Sequence, residues 1–429
     1  MRHSKKKAMV AVTAALLLVA GCSSSSKSSS GTSATTATAG SAGSSGSGSA
    51  SGNTITVGVL TDLTGAGSNT AGSYPLGIKA GIGLAAQEGY HIKTVEADST
   101  TSPTGILTAA QRLVEEDHVF AVLLTSVVGF GAAPYLAAHG IPVIGCACDG
   151  TEWITDRNMF SVIGTEDYNK VQTTYGQFFK DHGVTNLGAV GYGIEPSSAD
   201  TAKNAALSAE HEGIKVGYIN TNFPLGSTNV EPIALAMKDN GVNGLATGIL
   251  TNSTFAIMES LKQQGVNLKA ALPPTGYGGD LLTGGPGAVQ AAQGVYFLSG
   301  YEPVEMNTPA TRKFQNAMKT YAGVTGDPTF AEYIGYVTVD ALVQGLKAAG
   351  KNPTQQSLIN AMLGITSYNA AGLYGDHTIG WAMDQRGLYE GAGNCFYITQ
   401  FQGTTFHLVP NEDPLCGQTI PGETVSQAP

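Results

Sequence analysis

The chain has 429 residues, of which 13% are charged, 42% are hydrophobic and 57 are Gly. At about 150 residues per domain this is room for two or three domains with real cores, which excludes a miniprotein and a wholly disordered chain. The formal charge is -10, and 22 Lys and Arg scattered among 32 Asp and Glu form no basic face, which excludes a binder of nucleic-acid backbones.

Met1 to Lys7 is basic, Ala8 to Ala20 is apolar, and small residues follow, the three-part layout of a secretory signal. The apolar run is too short to span a bilayer, which takes roughly 20 residues. Its end, Leu18-Val19-Ala20-Gly21-Cys22, resembles the lipobox of bacterial lipoproteins, where the Cys thiol receives a diacylglyceryl group and cleavage leaves that Cys first. An ordinary signal with a chance Cys is the alternative. Residues 1–21 then read as a lipoprotein signal peptide, and losing Arg2, Lys5, Lys6 and Lys7 with it leaves the chain at -14. Ser23 to Gly52 holds only Ser, Gly, Thr and Ala with Lys27, a composition that buries no core and behaves as a flexible coil. Residues 22–52 are therefore read as lipid anchor and tether, and the protein as exported and held at the outer face of the cytoplasmic membrane.

In an oxidising compartment the four remaining cysteines pair readily. Cys395 and Cys416 flank two predicted strands and are expected to form a disulfide. Cys146-Ala147-Cys148 fits either a bridge or two small buried thiols. No second Cys pair or spaced His pair accompanies it, so no metal site is read.

Ile55 to Leu60 is a β-branched run, followed by a helix from Tyr74 to Glu88 with Pro75 in its first turn. A strand from Ile92 to Ala97 precedes Ser102-Pro103, a cap with Pro at the first helical position, and a helix to Glu116. Strand Val119 to Leu124 ends at Thr125-Ser126; a helix through His139 and a strand from Pro142 to Gly145 follow. The same grammar restarts with a helix from Tyr168 to His182, strand Leu187 to Val190, helix Ser197 to Glu212 and strand Lys215 to Ile219. Further alternation carries the chain through Thr251-Asn252 to Ala270–Leu272 and Val295–Leu298. Gly276-Tyr-Gly-Gly-Asp280 and Gly284-Gly-Pro-Gly287 read as loops. Beyond Tyr301 the pattern is helical, and strands Cys395 to Gln400 and Thr404 to Val409 close it. Strands separated by helical patterns argue α/β architecture with two doubly wound parallel sheets. Thr125-Ser126 and Thr251-Asn252 each end a strand just before a helix, where such sheets hold ligands; a plain helix cap is the competing reading.

No Gly-x-Ser-x-Gly elbow, His-Glu-x-x-His or Gly-x4-Gly-Lys-Ser/Thr loop occurs, and the His residues are dispersed. No catalytic residue and no cofactor is therefore named, and the chain is read as a non-enzyme.

Three stretches carry a family resemblance: Ile55-Thr-Val-Gly-Val-Leu-Thr-Asp-Leu-Thr-Gly65 with Gly77, Val122-Leu-Leu-Thr-Ser126, and Gly140-Ile-Pro-Val-Ile-Gly145. With the late helices Thr311 to Tyr321 and Tyr333 to Gly350, they make residues 54 to 410 resemble the leucine/isoleucine/valine-binding branch of ABC-importer solute-binding proteins, the type I periplasmic-binding-protein fold. The resemblance implies two lobes, 54–168 with 302–370 and 169–301 with 371–410, then a tail over 411–429. Three crossovers, near Glu166-Asp167, near Gly300-Tyr301 and within 370–392, form a hinge that closes over a small polar solute. It further implies a monomer whose closed form docks on membrane permease subunits. Carried over by position, the ligand-facing residues are Thr70, Thr125, Ser126, Ala147, Asp149, Tyr192, Thr251, Asn252, Thr275 and Tyr277. Ser126 would take a ligand carboxylate. Thr275 stands where amino-acid binders place an acid for the ammonium, so either Asp149 or Asp280 takes over, or the ligand is no standard amino acid. A ligand-sensing lipoprotein of the same fold is the second reading, and a secreted lipoprotein enzyme the distant third.

Overall fold

β1 (Ile55–Thr61) runs between two parallel neighbours, β2 (Ile92–Asp98) and β3 (Ala121–Thr125). Its Val57, Val59 and Leu60 are buried, as expected of a strand covered on both faces by helices. β4 (Val143–Gly145) and β5 (Met159–Ser161) complete an all-parallel sheet in the order β2-β1-β3-β4-β5. These observations come from a computed structural model that describes residues 54–146, 148–164, 167, 169–387 and 394–428. The expected signal, the Cys22 anchor, the tether and Ala147 lie outside the described residues.

Helices Tyr74–Gln87 and Pro103–Glu115 stand where the pattern places them. Ser102 Oγ accepts the Gly105 N–H at 3.0 Å and so satisfies one orphan donor of the second helix. The late helix Phe330–Ala349 returns to the first sheet and crosses Tyr74–Gln87 at unusually close range. A Cβ on Gly77 would stand 2.2 Å from the Glu332 carbonyl oxygen, and one on Gly335 2.5 Å from that of Tyr74. Its start is a capping box: Thr329 Oγ1 accepts the Glu332 N–H, and the Glu332 carboxylate accepts the Thr329 N–H.

Past β5 the expected helix over 168–182 is shorter. Lys170–Gln172 forms β6 and the helix covers Thr174–Asp181. A second parallel sheet follows, from β7 (Asn186–Tyr192), β8 (Lys215–Phe223), β9 (Gly244–Thr247) and β10 (Ala270–Leu272), in the order β10-β9-β7-β8. The glycine-rich stretch expected as loops instead carries two short helices, Gly279–Thr283 and Gly285–Ala291. Pro286 in the first turn of the second one supplies a helical φ that offsets the flexibility of its glycines.

β11 (Tyr296–Ser299) pairs antiparallel with β12 (Cys395–Gln402), which pairs with β13 (Thr405–Leu408) and β14 (Leu415–Cys416). Cys395 and Cys416 face each other in that register, and their sulfurs are bonded at 2.06 Å. The sulfurs of Cys146 and Cys148 are also joined. β15 (Thr419–Thr424) pairs antiparallel with β6, which explains why 170–172 is extended: its partner lies some 250 residues away. The segment after β5 is pinned by buried aromatics, with Trp381 Nε1 donating to the Ser161 carbonyl at 2.6 Å and the Tyr301 hydroxyl to that of Val162 at 2.5 Å. Among the described residues no helix is long and apolar enough to cross a membrane. The α/β fold class expected from the sequence is the one found.

Candidate functional site: a cavity between two sheet edges

Residues at and just after the carboxyl ends of β3 and β4 lie across a cavity of about 210 Å³ from those of β7, β9 and β10, and the end of β11 with the start of β12, from the antiparallel sheet, completes the lining. Both parallel sheets supply its wall: Thr125, Ser126 and Cys148 on one side, Tyr192, Leu250 and Thr275 on the other. Such edges collect ligands because strands end there and helix N-termini begin. Direct bonds also cross the cleft. Ser197, in the first turn of helix Pro196–His211, donates its N–H to the Asp149 carbonyl at 3.3 Å, and its Oγ lies 2.8 Å from the Cys148 carbonyl oxygen.

Three buried carboxyl groups surround this junction. Asp62, directly after β1, accepts the Ser126 hydroxyl at 2.5 Å, the Val127 N–H at 3.2 Å and the Ser99 hydroxyl. Burial raises its pKa, and the two serine bonds pull the other way. Asp149 accepts the Trp153 indole N–H at 2.8 Å and the Phe130 N–H. Burial and the nearby Glu152 push it well above the usual carboxylate range. Glu195, just before Pro196, is 5% exposed and lines the cavity. Burial, then the negative charge of Asp149, push it well above its ordinary value.

Of the residues expected to face a ligand, Thr70, Thr125, Ser126, Tyr192 and Thr275 line the cavity. Ser126 does so with its hydroxyl proton committed to Asp62 and its oxygen accepting the Val128 N–H at 3.2 Å, so an ionised Asp62 leaves it no proton for a carboxylate. The Tyr192 hydroxyl is likewise held inside its own lobe, accepting the Leu250 N–H at 3.1 Å and lying 3.3 Å from Ser253 Oγ. Thr251 stands one layer back and donates to Thr275 Oγ1 at 3.0 Å. Asn252 is exposed in the first turn of the helix Thr251–Gln263, so this pair opens a helix rather than ending the strand, which stops at Thr247.

Tyr277 is buried away from the lining, its hydroxyl on Glu305 at 2.5 Å and its ring edge-on to Phe406. Asp149 neither lines the cavity nor faces solvent, because backbone and indole N–H groups of the first lobe hold it. Asp280 is buried under the Phe330 N–H at 3.0 Å and is pushed up to about 8 by burial, so it is not a cavity countercharge either. The acid that does reach the cavity is Glu195, which the sequence reading passed over. Its signal was its place between strand Leu187–Val190 and the following helix, the same kind of edge as Thr125-Ser126. His377 Nε2 lies 3.7 Å from Cys395 Sγ and 3.9 Å from Cys416 Sγ, but those sulfurs are bonded to each other and offer a metal no thiolate.

Residues 54–405 match the family described as periplasmic binding protein. A comparison with curated proteins returns no match. Among solved structures, a substrate-binding periplasmic protein from Ralstonia solanacearum is 15% identical with a TM-score of 0.68, covering 85% of this chain and 100% of its own. An ABC-transporter solute-binding protein from R. palustris in complex with 4-hydroxybenzoate is 17% identical with a TM-score of 0.67, covering 87% and 97%. The branched-chain amino acid transporter substrate-binding protein LivJ of Streptococcus pneumoniae, in complex with isoleucine, is 14% identical with a TM-score of 0.65, covering 86% and 99%. Likeness at this identity concerns the fold, whereas the family match spans most of the chain. With its cavity set between two parallel sheet edges, this chain belongs to the periplasmic binding protein family and has the type I fold of ABC-transporter solute-binding proteins.

Proposed function

We propose that this protein is a lipid-anchored receptor on the outer face of the cytoplasmic membrane that captures a small polar solute and hands it to an ABC importer. Cys22 carries the anchor, residues 23–52 are the tether, and the body works as a monomer, binding without turning over its ligand. The lobes are 54–168 with 302–370 and 169–301 with 371–410, and the solute shifts the hinge toward closure by touching both. One observation carries this reading: the cavity is walled by the carboxyl edges of two separate sheets, so an occupant contacts both lobes at once. Solved relatives of the same fold hold isoleucine or 4-hydroxybenzoate, which makes amino acids, amides and small carboxylates the classes to screen.

The test uses the full-length protein extracted from membranes in detergent. Native mass spectrometry looks for a co-purified small molecule, and a thermal-shift screen follows. A ligand at 100 times its Kd adds about 2.7 kcal/mol to stability, a readily measured rise in Tm. No co-purified molecule and no shift with any of these classes would sink the receptor reading. Replacing Cys22 by Ala is expected to release the protein from the membrane fraction; unchanged retention would remove the lipid anchor.

A further inference from the structure

Glu195 is the one ionisable side chain of Asp, Glu, Lys, Arg or His type among the described residues lining the cavity. Asp62 and Asp149, close enough to act on it electrostatically, are held by hydroxyl and N–H donors of the first lobe, whereas Glu195 is not. Its nearest donor is the Ser197 hydroxyl, 3.3 Å from Glu195 Oε1 but only 2.8 Å from the Cys148 carbonyl oxygen. A hydroxyl has one proton, and the shorter contact across the cleft takes it. No ion pair involves Glu195 among the described residues. The wall thus presents a buried carboxyl group with no cation, in a place where every other lining group is neutral.

We infer that Glu195 sets the charge class of the solute: the cavity takes a ligand whose cationic nitrogen sits against the Glu195 carboxylate, and it disfavours ligands whose only charge is a carboxylate. This rests on the receptor reading and narrows it. An ammonium completes a charge-assisted hydrogen bond and supplies the countercharge that burial demands. A carboxylate without an amine cannot supply that countercharge, meets like charge whenever Glu195 is ionised, and finds no basic side chain on the described wall. A cation at this place favours the ionised form of Glu195 that burial and the charge of Asp149 disfavour. The groups facing that carboxyl are Asp149 and Asp62 across the cleft, with Glu152 behind Asp149, and Tyr192 at the end of its own strand. All are acids, so none supplies a positive charge in place of the ligand.

The experiment is calorimetric titration of the full-length protein in detergent with L-isoleucine, L-isoleucinamide, benzylamine and putrescine as amine probes. Benzoate and 2-hydroxy-3-methylpentanoate serve as carboxylates without an amine. At least one amine probe is expected to bind, and each carboxylate more weakly than it by about tenfold or more. Glu195→Gln is expected to weaken the amine probe roughly thirtyfold or more, the scale of losing one partner of a buried charge pair. The same variant leaves the carboxylates unweakened, and Glu195→Asp, which keeps the charge on a shorter arm, recovers part of the loss. Wild-type affinity for the amine also rises with pH, by at most about tenfold per unit, while Glu195 is still protonated in the empty protein, and Glu195→Gln flattens that rise. A carboxylate binding as tightly as every amine, or a folded Glu195→Gln protein keeping amine affinity, overturns the inference and leaves the receptor reading standing. Failure of all probes of both classes counts against both.

Discussion

Ser197 shows how much of this site depends on single atoms. Its N–H and Oγ bridge to the Asp149 and Cys148 carbonyls, so they stabilise the juxtaposition of the two sheet edges rather than the fold of either one. Ser197→Ala removes the hydroxyl and keeps the N–H. One such bond contributes about 0.5–1.5 kcal/mol, so ligand affinity is expected to fall by roughly two- to tenfold, with Tm in the absence of ligand nearly unchanged. Titration of the variant checks this, and an affinity equal to wild type would remove the latch role. Thr125 and Ser126 were legible at this scale because a strand ending in hydroxyl residues before a helix is a local pattern. The commitment of the Ser126 proton to Asp62 was not, since those residues lie 64 positions apart. Glu195 carried the same local signal, a place between a strand end and a helix, but only folding brings it opposite Asp149.

At the level of elements, the crossing of Tyr74–Gln87 and Phe330–Ala349 decides how firmly the late helices are held to the first sheet. Gly77 and Gly335 permit it by letting one backbone reach the other. Gly77→Ala places a methyl group 2.2 Å from a carbonyl oxygen that belongs to a helix and cannot move alone. The helices must separate, and overpacking of this kind costs about 1–3 kcal/mol. Urea unfolding is expected to show a lower midpoint with an unchanged slope; an unaltered midpoint would mean that the crossing relaxes freely. The helices themselves were legible from Pro75, from the Ser102-Pro103 cap and from periodicity. β6 was not, because an extended Lys170–Gln172 gains its hydrogen bonds only from β15 at the far end of the chain.

Across the whole molecule, buried acids set the pH response. Asp62, Asp149, Glu195, Asp280, Glu305, Glu332 and Asp340 all have pKa values raised chiefly by burial, Asp280 to about 8. A raised pKa means that the folded state holds protons the unfolded chain has released, so this stability is complete below the ordinary carboxylate values and is lost as pH rises through the folded ones. Each such group contributes a slope of at most about 1.4 kcal/mol per pH unit. Tm of the empty protein is therefore expected to fall from about pH 5 to about pH 8, and calorimetry across that range checks it. Asp280→Asn, which stays neutral, flattens the upper part of the fall. A profile that is level or rises toward about pH 8 would contradict this account.

By itself the sequence determined the fold class and the alternation of strand and helix, because burial on both faces writes continuous apolar strands, and caps and prolines mark helix starts within a few residues. It also determined which strand ends carry hydroxyl groups. The tertiary structure decided which of those residues border the cavity, that Asp149 and Asp280 serve their own lobes, and that Glu195 reaches the cleft. The physical reason is that most of these partners, Ser126 for Asp62 and Phe330 for Asp280 among them, come from segments tens of residues away, and even the nearer ones of Asp149, Trp153 and Phe130, are brought to it only by the packing that also buries it.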